Sequence, residues 1–232
     1  MSGALPPRER IASFAVLGLT AFTTTREAGS YGFTDAAPVG EVNERWLALL
    51  RATGGRMASA HQVHGTKLIT HTPGWDGWLR VDSADGHVTA HHDTALVVTV
   101  ADCVPVFIGH PKGASALLHA GWRGTSGGIM GAGIQALKAL GCHAADLVVH
   151  LGPAICGACY EVGPDVYARL MRRSIDHSAP VDLRALLADQ ARIAGVKHVD
   201  VSTCCTRCHQ ERFFSHRGGD GGRQVAVIAP ST

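Results

Sequence analysis

Long apolar runs are missing from this 232-residue chain. A membrane-spanning helix needs about 18 consecutive apolar residues, and no stretch reaches that, so no membrane partner is expected. Charge is sparse too. Charged residues make up 17% of the chain and the formal net charge is +2, against about 25% charged residues in an average globular domain. That balance argues against a nucleic-acid-binding stripe, and no nucleic-acid partner is expected. Aromatic residues amount to 6%, with three Tyr and four Trp, none interleaved with a basic run. No repeat or low-complexity tract is present, and Ser174 to Pro180 alone reads as a flexible insert. The apolar stretch Ile11 to Phe22 follows Arg8 and Arg10 but lacks a small-x-small cleavage site, so it reads as a strand and not a secretory leader. The seven cysteines form an odd set, unlike a secreted disulfide framework. A reducing cytoplasm with free or metal-bound thiols is the expected setting.

What is present supports a folded enzyme-sized core. Hydrophobic residues are 46% of the chain, and its length suits one domain over 1–232. Strands and helices alternate. Strands are predicted over Ser13–Thr24, Arg56–Val63, Lys67–His71, Ala114–His119, Asp146–Leu151, Val196–Val201 and Gln224–Ala229. Thr94–Gly109 reads as two buried strands around a functional bend at Asp102, Cys103 and Pro105. Helices are predicted over Gly40–Thr53 (Val42, Trp46, Leu47 and Leu50 on one face), Gly124–Leu140, Pro164–Arg173 and Asp182–Ala194. This mixture predicts a layered α/β or α+β domain.

Three side chains stand out: His64 in His-Gln-Val-His-Gly, Cys103 in Ala-Asp-Cys-Val-Pro, and His119 in His-Ala-Gly-Trp-Arg-Gly. Each lies beside strand-like residues and is followed within two positions by Gly or Pro. Such places put polar side chains at strand ends, where one pocket can gather them. Two imidazoles and a thiolate can hold a transition metal with one coordination position free. The competing reading is three unrelated residues, since a buried Cys behaves as a small hydrophobe. Asp102 in an apolar strand favours a functional site, because a buried carboxylate is costly unless paired.

Other constellations compete with this one. Cys156-Gly-Ala-Cys159 and Cys205-Thr-Arg-Cys208 are the units of a structural Cys₄ zinc site. Their separation exceeds the usual ribbon spacing, and the first pair lies in Gly-Pro-rich sequence that reads as a pocket loop, so a shared site is not the expectation. His209-Gln-Glu211 follows both pairs, the wrong order for a nucleobase deaminase. No His-x-His pair supports clustered coppers, and His91 and His92 read as exposed loop residues. Arg26, Arg123, Arg217 and Arg223 are candidate anion holders. The alternative for them is structural pairing with Asp85, Asp102 or Glu161.

Taken in order, these segments resemble the laccase-domain family, also called YfiH-like, multicopper polyphenol oxidase, peptidoglycan editing factor and purine nucleoside phosphorylase. The likeness runs from Thr24-Thr-Arg26 through Gln62-Val-His64-Gly65, Ala84-Asp85-Gly86-His-Val-Thr89, Ala101-Asp-Cys103-Val-Pro105 and His119-Ala-Gly-Trp-Arg-Gly124. It continues through Gly152-Pro-Ala-Ile155, Cys159-Tyr-Glu-Val-Gly163, Cys205-Thr206, Phe213-Phe-Ser215 and Gly222-Arg223. Two departures are visible. The region after Arg26 is short, and His216 stands where the family's "FFSYR" has an aromatic.

The resemblance implies an α-β-β-α sandwich with mixed sheets, related to a cysteine-hydrolase-like fold. It implies a metal site of His64, Cys103 and His119 that holds zinc in preference to copper. It also implies a purine nucleoside phosphorylase with adenosine deaminase and methylthioadenosine phosphorylase activity, acting as a monomer or weak homodimer on nucleosides and phosphate. In that scheme Cys103, His119, Arg26 and Asp85 are catalytic, with Arg26 and Arg123 orienting phosphate. Asp85 or Glu161 steadies charge developing on ribose, and Arg123, Glu161 and Arg217 bind substrate. The alternative is a metal-free hydrolase of peptidoglycan precursors, with Cys103 as nucleophile and His119 as base. A binding protein whose metal only braces the fold is the third reading.

Overall fold

The computed structural model describes residues 3–33 and 37–231. The chain begins with β1 (Arg8–Arg10), a 3-10 turn over Ala12–Leu17, β2 (Leu19–Thr24) and α1 (Val39–Ala52). Next come β3 (Arg56–Ala60), β4 (Leu68–His71), β5 (Gly77–Val81), β6 (Gly86–Thr89), β7 (Ala95–Val100), β8 (Val104–Gly109) and β9 (Ser115–Ala120). Two helices follow, α2 (Trp122–Gly127) and α3 (Ile129–Ala139), then β10 (Val148–Leu151), β11 (Glu161–Val162) and α4 (Pro164–Met171). The chain closes with β12 (Ala179–Pro180), α5 (Leu183–Ile193), β13 (His198–Val201) and β14 (Gln224–Pro230).

Two six-stranded mixed sheets stack face to face. One has the order β1-β2-β14-β7-β3-β5 and the other β13-β10-β8-β9-β6-β4. Strand alternation builds three apolar layers from these two sheets. On β14, Ala226 and Ile228 face the second sheet, where they meet Phe107 and Leu117. Val225, Val227 and Ala229 point the other way, onto Val42, Trp46 and Leu49 of α1. On β8, Val104, Val106 and Ile108 pack beneath α3, α4 and α5 through Ile134, Leu170 and Leu187. The result is the expected α-β-β-α sandwich.

Several sequence expectations need correction. Ser13–Thr24 is not one strand: Ala12–Leu17 coils into a 3-10 turn and reverses at Gly18 before β2 starts. On α1 the inward face is Val42, Trp46, Leu49 and Ala52, while Leu47 is exposed. A helix turns 100° per residue, so Leu49 and not Leu47 shares a face with Val42 and Trp46. The helix expected over Gly124–Leu140 is two helices, broken where Gly128 adopts φ 86°, a left-handed conformation open to glycine. The start of α5 is as expected, with the Asp182 carboxylate accepting the N–H groups of Arg184 and Ala185. The segment read as a flexible insert ends in β12, which pairs with β11.

Candidate active site

The three expected residues converge. The ligand atoms of His64, Cys103 and His119 lie within 4.8 Å of one another. His64 follows β3, Cys103 sits in the bend between β7 and β8, and His119 is on β9, so both sheets contribute. Two of these places carry backbone strain. His64 has φ 60° and Asp102, next to Cys103, has φ 81°; such conformations in non-glycine residues persist only where surroundings impose them.

Those surroundings are specific. Asp85 is fully buried. Its carboxylate accepts the backbone N–H groups of Val63 (3.2 Å), His64 (2.8 Å) and Gly65 (2.6 Å). It also bonds His119 Nδ1 at 2.9 Å, which leaves Nε2 for the cavity. Burial pushes the Asp85 carboxyl up, but the bonds from His119 and Gly65 outweigh this and hold it below its ordinary value. Behind the loop, Gln62 clamps Thr99 of β7. Its Oε1 accepts the Thr99 N–H at 2.7 Å and hydroxyl at 2.9 Å, and its amide donates to the Thr99 carbonyl at 2.8 Å.

The Cys103 bend is tied to the C-terminal segment. The Asp102 carboxylate accepts the Thr206 hydroxyl (2.5 Å), the Ser215 hydroxyl (2.8 Å) and the Arg217 N–H (2.6 Å). Glycine at 121 leaves room for the cluster, because a Cβ there would crowd Cys103 Sγ at 3.0 Å and His64 Cδ2 at 3.2 Å. Burial raises the Cys103 thiol, yet His119 and His64 pull it down to about 6. Burial lowers His119, and the Cys103 thiolate and Asp85 raise it to about 9. Metal-free, the pair is a thiolate facing an imidazolium.

The cluster opens onto a cavity of about 700 Å³. Four arginines line it: Arg80, Arg123, Arg217 and Arg223. Among the described residues none of the four pairs with a carboxylate within 4.0 Å, unlike Arg26 and Arg56. Aromatic rings of Tyr31, Phe33, Trp122 and Tyr160 complete the wall, with Arg123 stacked 4.3 Å over Trp122 and Arg217 5.0 Å over Tyr160.

Three expected roles do not fit these positions. Asp85 is enclosed and saturated, so it orients His119 and the His64 loop and cannot touch ribose. Arg26 is outside the cavity lining. Its guanidinium is spent on the Gln210 and Phe213 carbonyls and on Asp220, and it stacks over Phe214. Glu161 also lies outside, and it is its carbonyl that accepts Arg217 at 3.0 Å. Arg123 and Arg217 do line the cavity. Arg80 and Tyr31 were missed: Arg80 sits on β5, a short strand without a clear apolar alternation, and Tyr31 in a Gly-rich loop.

A second expectation is overturned as well. The two Cys-x-x-Cys pairs meet, with the sulfurs of Cys156, Cys159, Cys205 and Cys208 within 4.8 Å of one another. A parallel bridge between Ala154 and Cys205 brings the two loops together across the long gap in sequence.

A family model described as multi-copper polyphenol oxidoreductase laccase matches residues 25–231. The chain belongs to this family. Relatives within reach of this laccase-like chain carry a different name. A Streptomyces griseus protein named purine nucleoside phosphorylase is 31% identical over 207 residues, covering 84% of this chain and 82% of the relative. A Mycobacterium tuberculosis protein with the same name is 33% identical over 213 residues, covering 88% and 84%. Among solved structures, YlmD from Geobacillus stearothermophilus has a TM-score of 0.88 at 27% identity, covering 100% of this chain and 98% of that one. YfiH from Bacillus licheniformis has the same TM-score at 24% identity over 97% of each chain, and bears on the fold alone.

The family's description suggests a metal, and the donor set here fits one. His119 is oriented by a buried carboxylate, as metal-bound histidines are. Two imidazoles and one thiolate suit zinc with an open position. Among the described residues of the cavity, only these three bring ligand atoms together, too few for the clustered coppers that the family's description calls for. No helix among the described residues is long and apolar enough to cross a membrane.

Proposed function

We propose that this chain is a zinc-dependent purine nucleoside phosphorylase that also deaminates adenosine and accepts methylthioadenosine. One observation carries the reading: a two-histidine, one-cysteine cluster opens onto a cavity walled by aromatic rings and by four arginines that have no carboxylate partner among the described residues. The names of the relatives point the same way.

His64, Cys103 and His119 would hold the zinc, which supplies a Lewis acid with one open coordination position. Asp85 fixes the His119 ring and the His64 loop before substrate arrives. The arginines hold phosphate through charge-assisted hydrogen bonds and, being weakly hydrated, release water readily on binding it. The aromatic rings offer flat faces for the purine. Burial raises Tyr160 above its ordinary value, so its hydroxyl stays protonated and can donate to a ring nitrogen. In phosphorolysis a phosphate oxygen bonds to the ribose anomeric carbon as the bond from that carbon to the purine nitrogen breaks, and the purine leaves with a proton. In deamination a water oxygen bonds to C6 of adenosine and the amino group leaves as ammonia.

The thiolate–imidazolium pair of Cys103 and His119 favours a second reading, a cysteine hydrolase that cleaves an amide in a cell-wall precursor. Chromatographic product analysis separates the two. Adenosine, inosine and methylthioadenosine are each supplied with and without phosphate, to the native protein and to Cys103→Ala. The expected result is a pentose 1-phosphate only when phosphate is present, inosine from adenosine without it, and loss of both in the variant together with the metal of the His64–Cys103–His119 cluster. Absence of both products from the native protein overturns the proposal. Amide cleavage that survives chelation but not alkylation of Cys103 would establish the hydrolase instead.

A further inference from the structure

The four sulfurs of Cys156, Cys159, Cys205 and Cys208 lie outside the lining of the catalytic cavity. Their spacing is that of a ligand set. A tetrahedron with Zn–S bonds of about 2.3 Å has sulfur–sulfur edges of about 3.8 Å. All four sulfurs fall within 4.8 Å of one another, and Cys159 and Cys208 stand 3.5 Å apart. Two disulfides would serve the same residues only with sulfurs drawn to about 2.05 Å in separate pairs. Here the four form one group.

The backbone is arranged to receive anionic sulfur. The N–H groups of Cys156 and Cys208 both donate to Cys205 Sγ, at 3.2 and 3.4 Å. Each pair forms a tight turn. The Cys159 N–H bonds the Cys156 carbonyl at 3.0 Å, and the Cys205 carbonyl accepts the His209 N–H at 3.0 Å. Arg207 adds a bond from its guanidinium to the Cys159 carbonyl at 3.2 Å. Four thiolates at this separation repel one another, and a divalent cation at their centre removes that cost.

We propose that Cys156, Cys159, Cys205 and Cys208 form a second metal site, closed and tetrahedral, that takes Zn²⁺. It has four protein ligands and no open position, so its role is to hold structure. It staples the loop before β11 to the turn after β13. Those two segments secure the catalytic bend: the Ile155 N–H donates to the Asp102 carbonyl at 3.1 Å, and the Thr206 hydroxyl to the Asp102 carboxylate. The loop also places Tyr160 in the cavity wall. The second zinc therefore stands behind the Asp102–Cys103 bend as a brace, whichever reaction the cavity performs.

The test uses the full chain, purified under reducing conditions without chelator. Metal content is measured on the native protein, on Cys103→Ser and on Cys159→Ser/Cys208→Ser. Cys103→Ser removes a ligand of the catalytic cluster, so the zinc it retains reports the second site. One equivalent is expected there, and one equivalent less in the double variant than in the native protein. Should the double variant not fold, two measurements on Cys103→Ser suffice. Co²⁺ added to the metal-free protein should give, at one equivalent, the intense thiolate-to-metal absorption of a four-sulfur tetrahedral site. Chelation should expose four further thiols to a thiol reagent for each zinc released. Cys103→Ser that holds no zinc, or a native Cys159–Cys208 disulfide found by mass spectrometry, overturns the proposal.

Discussion

Asp85 illustrates how much a single residue's setting decides. Its segment stands out in the sequence, but a carboxylate in an Ala-Asp-Gly turn gives no sign of whether it faces substrate or backbone. Here it accepts three N–H groups and one imidazole in full burial. In Asp85→Asn one oxygen becomes a donor, directed at donors that then lack an acceptor, and the His119 ring loses its anchor. Metal affinity at the His64–Cys103–His119 cluster should fall about 10–100-fold, as when other carboxylates behind metal-bound histidines are lost. A competition titration against a chromophoric chelator measures this, and unchanged affinity would count against the positioning role. Arg26 teaches the same lesson. Its strand-end location is legible in the sequence, but its partners come from residues 210–220, which no local pattern reveals.

At the level of elements, the periodic segments were legible and the short or glycine-broken ones were not. β7 to β9 and the start of α5 lie where apolar runs and an N-cap place them. β5 and β6 were not assigned, being short strands among turn residues. β6 and its neighbour β4 hold a buried histidine pair. His71 of β4 and His87 of β6 share a hydrogen bond of 2.9 Å between neighbouring parallel strands, both buried. Burial pushes His71 down to about 4; burial and the neighbouring imidazole push His87 down to about 3. The folded-state values lie below the unfolded value of about 6.5. The stability they carry is therefore whole above about pH 6.5 and is lost as pH falls, because only the unfolded chain takes up the protons. At pH 5 each histidine should cost up to about 2 kcal/mol. Replacing both in His71→Leu/His87→Leu should flatten the loss of stability between pH 7 and pH 5, as read by urea denaturation at each pH. An unchanged slope would show that other groups drive acid unfolding.

For the whole molecule, layering was foreseen but strand order was not. Strands buried on both faces read as continuous apolar runs, so periodicity cannot say which face meets the second sheet. Nor does it reveal that β14, last in sequence, inserts between β2 and β7. That insertion ties the C-terminal end to the N-terminal strands. The inter-sheet layer then joins both sheets through Phe107 of β8, packed with Leu96, Val98 and Ala226 from the opposite sheet and 6.2 Å from the Phe14 ring. We predict that the chain unfolds as one unit. In Phe107→Ala the lost ring leaves a cavity between the sheets, at a cost of about 3–5 kcal/mol. Far-ultraviolet dichroism, tryptophan fluorescence and hydrogen exchange in β10 and β14 should all shift together to lower denaturant concentration, as a two-state transition requires. If protection from exchange falls in β10 while it holds in β14, the sheets are separate folding units, and the single-domain reading fails with them.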